Sequence, residues 1–238
     1  MTYNRLLDAL PTHVYEQLQP SLALVSLHQG KILHSPGDVI QEVYFPISCM
    51  LSITITMADG STAETGVVGN REVLGVNALM GGQETTQTEY VVQVAGEAMK
   101  IAASKLYPFF DQDAEVRSLF LNYTQALIAQ ISQTTACNRL HKLEQRFARW
   151  LLEKQDRLES EEIPLTQRFI AEMLGVRRAG VTQAAQKLED LNIINYSRGH
   201  IRILDKSGLE SVACECFGVV REEYDRLLGL KHDRQHDR

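Results

Sequence analysis

From residue 113 to 137 the chain reads "DAEVRSLFLNYTQALIAQISQTTAC", with neither glycine nor proline and with apolar residues recurring at intervals of three and four. That interval is the period of an α-helix. The acids Asp113 and Glu115 stand where the positive end of the helix dipole favours them, and the stretch is long enough for about seven turns. The predicted helix divides the chain in two. Before it, over 22–101, short β-type runs are broken by turn residues: Gly30, then Pro36-Gly37-Asp38, then Asp59-Gly60 inside "MLSITITMADGSTAETGVVG". In the last of these, alternating β-branched residues flank a two-residue hairpin turn. Strands at this spacing predict a small antiparallel barrel or roll, preceded by a short helix over 3–19. After the long helix, a second helical stretch begins near Lys142. Two short helices reaching Leu191, a hairpin over 193–204 and a terminal helix over 207–228 follow it. The fold class is therefore α+β: an N-terminal antiparallel β-roll of the cupin-like jelly-roll kind over 1–112, a long helix over 113–138, and a C-terminal helical unit with a hairpin over 139–238.

The long helix is apolar on more than one side. A single roll cannot bury both sides, so a second copy of the same helix is the expected partner. The predicted seam is Val116, Leu119, Phe120, Tyr123, Leu127, Gln130, Ile131 and Thr134. The alternative is a helix lying wholly inside one monomer's core.

Composition excludes several classes. No run approaches the ~18 uninterrupted apolar residues of a membrane span, and the first twenty residues lack the basic start and apolar core of a secretory leader. A soluble, cytoplasmic chain is expected. The four cysteines, Cys49, Cys137, Cys214 and Cys216, form no C-x-x-C pair and no dense framework. Reduced thiols are expected. Cys214 and Cys216 fall two apart on a predicted helix and so point to different faces, which makes a poor chelate, and no metal site is expected. His28 and His34 read as ordinary roll histidines rather than haem ligands. There is no H-x-H metal pair, no Ser-His-Asp set and no Gly-rich phosphate loop opening a helix, so enzyme chemistry is not expected.

The net charge of −6 hides an asymmetry. Residues from Arg139 onward carry 18 basic and 17 acidic groups, whereas those before it carry 6 and 13. Within 166–204 there are six basic residues and three acids. This local excess lies on "LTQRFIAEMLGVRRAGVTQAAQKLEDLNII", residues 165–194. With Gln167 as the first position of a helix-turn-helix, Ala171 falls where two helices touch, and Gly175 falls where the turn needs positive φ. Ile170, Leu174, Val176, Val181 and Ala184 close the apolar seam. Thr166 is a predicted N-cap, with Leu165 stapled to Ile170 across it. The hairpin that follows, with "YSRGHIRI" at its turn, makes this the winged variant. In such a unit the second helix enters the major groove and the wing touches flanking phosphates.

Candidate DNA-binding residues are Thr166, Arg168, Arg177, Arg178, Ala179, Gly180, Thr182, Gln183, Gln186 and Lys187, with Ser197, Arg198 and His200 on the wing. Arg178 can read guanine through its fork, Gln183 can read adenine or hold a phosphate, and Arg177 suits a phosphate. Gly180, unfavourable by about 1 kcal/mol against alanine inside a helix, is expected to allow close approach of backbone to DNA.

A β-roll with Gly30 and Pro36-Gly37-Asp38, a long helix, the segment at 165–194 and a wing together resemble the Crp/Fnr superfamily of bacterial transcription regulators. The resemblance covers about residues 5–205. It implies a homodimer on a pseudo-palindromic site in double-stranded DNA, a sensory roll, and contact with RNA polymerase. Two departures bear on specificity. Relative to the cyclic-AMP-binding members, Arg178 is retained, but Ala179 and Gln183 replace the family's Glu and second Arg. In the roll, "GNREVLGVNALMGGQETTQTEY" keeps Glu72 but puts Thr86 or Gln87 where the family holds the cyclic phosphate with arginine. The loss of that charge-assisted pair, worth about 1.5–3 kcal/mol, disfavours cyclic AMP and leaves an unknown small-molecule effector. Arg71 is a possible replacement cation. The expected effector pocket is Arg71, Glu72, Thr86, Gln87 and Tyr123. Beside this reading stand a cyclic-nucleotide-dependent regulator of the same family and an interaction scaffold that does not bind DNA.

Overall fold

The computed structural model describes residues 4–81, 85–197 and 199–229. Two short helices, α1 (Arg5–Asp8) and α2 (Thr12–Leu18), replace the single helix expected at the N-terminus. Pro11, which has no amide N–H to continue the first helix, is the N-cap of the second. Seven strands then build the roll: β1 (Ala23–Leu27), β2 (Ile32–His34), β3 (Glu42–Pro46), β4 (Met50–Thr56), β5 (Thr62–Val68), β6 (Glu89–Val94) and β7 (Gly96–Ala102). They form two antiparallel sheets, ordered β1-β7-β3 and β2-β6-β4-β5. The β4–β5 hairpin turns at Asp59-Gly60 as its sequence requires. Thr56 pairs with Thr62, and the Asp59 carboxylate accepts from the Ser61 amide at 2.9 Å.

Helix α3 (Ala103–Gln112) closes the roll. The long helix α4 (Ala114–Leu140) follows directly, its Asp113 N-cap accepting from the amides of Glu115 and Val116 at 2.9 and 3.0 Å. Beyond it come α5 (Leu143–Leu158), the short strand β8 (Glu162–Ile163), α6 (Gln167–Leu174), α7 (Arg178–Asp190), and a hairpin of β9 (Ile194–Ser197) and β10 (His200–Ile203). β8 joins that hairpin to complete a small sheet ordered β8-β10-β9.

The C-terminal extension, expected as one helix, is two: α8 (Lys206–Val212) and α9 (Cys216–Leu228). The break matters for the cysteines. Cys214 lies in the link and Cys216 opens α9, so both thiols turn inward instead of diverging, and they bury beside Cys137.

Two apolar cores result. The first fills the roll and takes in Val116, Phe120, Tyr123 and Leu127 of α4 together with Val220 and Tyr224 of α9. The second belongs to the winged unit, and Met50, Val67 and Val94 of the roll's strands pack into it. The winged unit is therefore seated on the roll. Among the described residues no helix is long and apolar enough to cross a membrane.

The eight α4 residues expected at an intermolecular seam are placed by the structure inside the chain's own packing. Val116, Phe120, Tyr123, Leu127 and Gln130 are buried. Gln130 accepts from the Val67 amide at 2.8 Å and donates to the Tyr224 hydroxyl at 3.1 Å. Leu119 and Ile131 pack partly buried against the roll core, and Thr134 accepts from Arg149 at 3.0 Å. The physical reason is that the roll core takes in Val116, Phe120, Tyr123 and Leu127, while α9 lies along α4 and meets Gln130 through Tyr224. What α4 leaves exposed is a different stripe, Ser118, Leu121, Gln125, Ile128, Ser132 and Thr135.

Candidate nucleic-acid interface

The α6–α7 pair forms as its sequence dictates. Thr166 caps α6, its hydroxyl accepting from the Phe169 amide at 3.3 Å, and Leu165 and Ile170 are both fully buried around that cap. Gly175 ends α6 in the left-handed region at φ 62°, a conformation costing about 1–2 kcal/mol for a residue with a Cβ. Ala171, Val181 and Ala184 are buried where the two helices meet. This leaves Arg177, Arg178, Ala179, Thr182, Gln183, Gln186 and Lys187 exposed along one side of α7. The first acids on that helix are Glu189 and Asp190, in its last turn.

Local pairing orders part of this surface. Thr182 donates to Gln167 Oε1 at 2.8 Å, Gln186 donates to Asp190 at 2.9 Å, and Arg168 pairs with Glu172 at 3.1 Å. Lys187 donates to Glu144 of α5, which holds that carboxyl below its ordinary value. On the wing, Ser197 and His200 are paired across the hairpin and exposed. Arg198 lies outside the described residues.

Gly180 is half-buried in α7, and a Cβ there would come within 2.8 Å of Leu143 Cδ2, the end of a side chain that can turn aside, so the glycine also lets α5 and α7 pack closely.

The residues expected to line an effector pocket do not converge. Arg71, Glu72 and Tyr123 gather at the base of the roll, where Tyr123 donates to the Val73 carbonyl at 2.6 Å. Thr86 is engaged elsewhere, its carbonyl accepting from the Gly37 amide at 2.8 Å and its hydroxyl meeting that of Thr88 at 2.7 Å. Gln87 lies beside it on the partly exposed segment before β6. Glu72 is already engaged. The Arg157 guanidinium of α5 grips it with Nε 3.0 Å from Oε2 and Nη2 2.9 Å from Oε1, and the Gly69 amide donates to the same carboxylate. Arg71 pairs with Asp156, also on α5.

A second buried anchor lies on the neighbouring strands. Glu64 of β5 accepts from Ser52 and Gln93 at 2.7 Å each, from Trp150 Nε1 at 3.0 Å and from Lys154 Nζ at 2.9 Å. Lys154 is 0% exposed, and its ammonium also lies 4.5 Å over the Trp150 ring. Burial pulls the Lys154 amine below its ordinary value, against the pull of Glu64 and Glu153. For Glu153 burial acts upward, but Arg149, Arg157 and Lys154 outweigh it and hold the carboxyl below the usual range. No local signal marks Lys154 and Arg157, because "LLEKQDRLES" reads as an ordinary solvated helix end.

Two family models match these two halves: the cyclic nucleotide-binding domain over residues 24–113 and the Crp-like helix-turn-helix domain over 145–212. The chain belongs to the Crp/Fnr family of transcription regulators. No curated protein matches it. Solved structures of the family share its fold. A putative transcriptional regulator of the Crp/Fnr family from Eubacterium rectale is 19% identical, with a TM-score of 0.68 over 89% of this chain and 99% of that one. FixK2 from Bradyrhizobium japonicum is 15% identical, with a TM-score of 0.70 over 81% and 98%. The c-di-GMP-responsive global regulator CLP from Xanthomonas campestris is 14% identical, with a TM-score of 0.65 over 81% and 99%. This Crp/Fnr-family chain thus joins a cyclic-nucleotide-binding-like roll to a helix-turn-helix, and α6 leans on the roll at β5, where a Cβ at Gly175 would sit 3.5 Å from that of Ala63.

Proposed function

We propose that this chain is a homodimeric, sequence-specific DNA-binding regulator whose roll answers to an effector other than cyclic AMP. The observation that carries the reading is the outward side of α7: two arginines, a lysine, two glutamines and a threonine, exposed together and free of acids until the last turn. Such a face can enter the major groove, with Arg178 placed for guanine and Gln183 for adenine or a phosphate. Arg177 and the wing residues then grip the backbone.

The dimer reading rests on the exposed stripe of α4. Ser118, Leu121, Gln125, Ile128, Ser132 and Thr135 alternate at three and four residues, the spacing of a two-stranded seam. Leu121 and Ile128 are 48% and 59% exposed, large apolar groups that a second copy would cover. Two recognition helices related by that seam would meet half-sites about 34–36 Å apart, which is why a pseudo-palindromic site is expected. Contact with RNA polymerase belongs to the same reading and is supported by family membership alone.

The effector reading rests on Glu72. Its carboxylate is already engaged by the Arg157 guanidinium and the Gly69 amide, and the cation nearest it in the sequence, Arg71, pairs with Asp156. The roll also holds a concavity of about 450 Å³ bordered by His34, Asp38, Glu42, Tyr44 and Tyr90, and a small ligand would enter there.

Selection of bound fragments from a random duplex library tests the proposal. The expected product is an inverted repeat with one guanine per half-site that depends on Arg178. Arg178→Ala should relax preference at that position at a cost of about 1–3 kcal/mol, whereas Arg177→Ala should weaken all sequences alike and lower the salt slope by about 1. Enrichment of no sequence, or equal effects of both variants on matched and mismatched sites, would reject it.

A further inference from the structure

Four side chains that sequence spacing kept apart meet at the junction of α4, α5 and the C-terminal extension. Cys137 and His141 lie one helical turn apart at the end of α4, Cys214 is in the α8–α9 link, and Cys216 is the first residue of α9. Their ligand atoms all fall within 4.8 Å of one another. Cys137 Sγ is 3.5 Å from Cys214 Sγ, and Cys216 Sγ is 3.5 Å from His141 Nδ1. A tetrahedral zinc ion with Zn–S of about 2.3 Å and Zn–N of about 2.0–2.1 Å has sulfur–sulfur edges of about 3.8 Å and sulfur–nitrogen edges of about 3.6 Å. Two of the six edges are already close to those lengths, and none exceeds 4.8 Å.

The surroundings suit such an ion. The second ring nitrogen of His141 lies 3.3 Å from Glu215 Oε1, the carboxylate–histidine pairing that fixes the tautomer and orients a metal-bound imidazole. Gln133 donates its amide N–H to Cys216 Sγ at 3.1 Å, a bond that suits a thiolate. The buried guanidinium of Arg149 faces Cys137. Three thiolates and a neutral imidazole around a divalent ion leave one net negative charge, and Arg149, which also pairs with Glu153 at 3.1 Å, is the nearby cation that faces it.

We propose that Cys137, His141, Cys214 and Cys216 bind a single zinc ion in a closed tetrahedral site. All four ligands come from the protein, so no position remains for a substrate, and the site is of the structural kind. The thiol protons go to solvent as the ion binds. Its place in the fold gives it a second consequence. His141 is the C-cap of α4, and only Lys142 separates it from α5, so the ion ties the extension to the junction through which the roll meets the winged unit. A Cys137–Cys214 disulfide would use one contact of the cluster and leave Cys216, His141 and Glu215 without a reason to converge. An iron–sulfur cluster would spread its four ligands over separate corners, wider than this set.

The test uses the full chain, reduced, stripped with a chelator, and titrated with Co2+ as the probe. The expected result is saturation at one ion per chain, with the intense visible bands of tetrahedral cobalt and a thiolate charge-transfer band, both abolished by one equivalent of Zn2+. Glu215→Gln changes an exposed side chain and threatens no core; it should weaken binding about 10–100-fold. Cys216→Ala should abolish tetrahedral binding, whereas Cys216→His should restore it with a weaker charge-transfer band. Cys49→Ser, a buried roll cysteine outside the cluster, should bind as the parent does. Weak octahedral bands, Glu215→Gln binding as tightly as the parent, or a Cys137–Cys214 cross-link in peptides from chain isolated without oxidant would overturn the proposal.

Discussion

Replacing Lys154 by methionine keeps most of the side-chain volume but deletes a buried charge, and its cost can be worked from the contacts at Glu64. The carboxylate would keep Ser52, Gln93 and Trp150 as donors but lose its only cationic partner among the described residues. Removing one member of a buried pair costs about 3–5 kcal/mol because the other charge stays buried and uncompensated. For a chain of this length each kcal/mol corresponds to about 2–4 °C in Tm, so Lys154→Met should melt roughly 6–20 °C lower. Adding Glu64→Gln removes the stranded charge, and the double variant should recover part of the loss, with a coupling energy of about 1–3 kcal/mol. Urea midpoints of the parent, both single variants and the double variant give all the terms. A loss under 1 kcal/mol for Lys154→Met, or strict additivity in the cycle, would refute the view that this pair anchors α5 to the roll.

Other expectations follow from the same structure. Leu121→Asp with Ile128→Asp should give folded monomers by light scattering and near-total loss of operator binding; an unchanged dimer mass would discard the proposed seam. Cyclic AMP at physiological concentration should leave Tm unchanged, although a hundredfold excess over Kd would add about 2.7 kcal/mol; a saturable rise would reinstate the nucleotide. Glu153 has its carboxyl held below the ordinary range in the folded chain, so the unfolded chain takes up the proton first as pH falls. Its contribution is full above about pH 4.3 and is lost as pH drops through the folded value. The urea midpoint should therefore decline below about pH 4.3, and less steeply in Glu153→Gln.

The helix-turn-helix was legible in the sequence because each of its requirements is local. A cap at Thr166, a left-handed glycine at 175 and small or apolar residues at the contact positions lie within a few turns of one another. The β4–β5 hairpin was legible for the same reason. Helix α3 was not, because Pro108 stands in its interior and the segment follows the last strand without a break. The anchors at Glu64 and Glu72 were hidden by distance: their partners lie about ninety residues on, in a stretch whose charges look solvated. The apolar band of α4 shows that the helix is covered but not by what, and within the chain the roll core and α9 both cover it. The cysteines were misread through one assumed helix, and the break at Ala213 turned both thiols to the same place.

The two anchors put their acids on the roll and their bases on α5. Neither half is therefore a free-standing cassette. A roll cut away at the end of α4 would carry Glu64 and Glu72 with their cations gone, and a winged unit cut away at Leu143 would bring Lys154 and Arg157 to its surface. Grafting this roll onto another helix-turn-helix domain should succeed only if a lysine and an arginine three residues apart travel with it, which makes the first helix of the winged unit, by inheritance, a part of the roll.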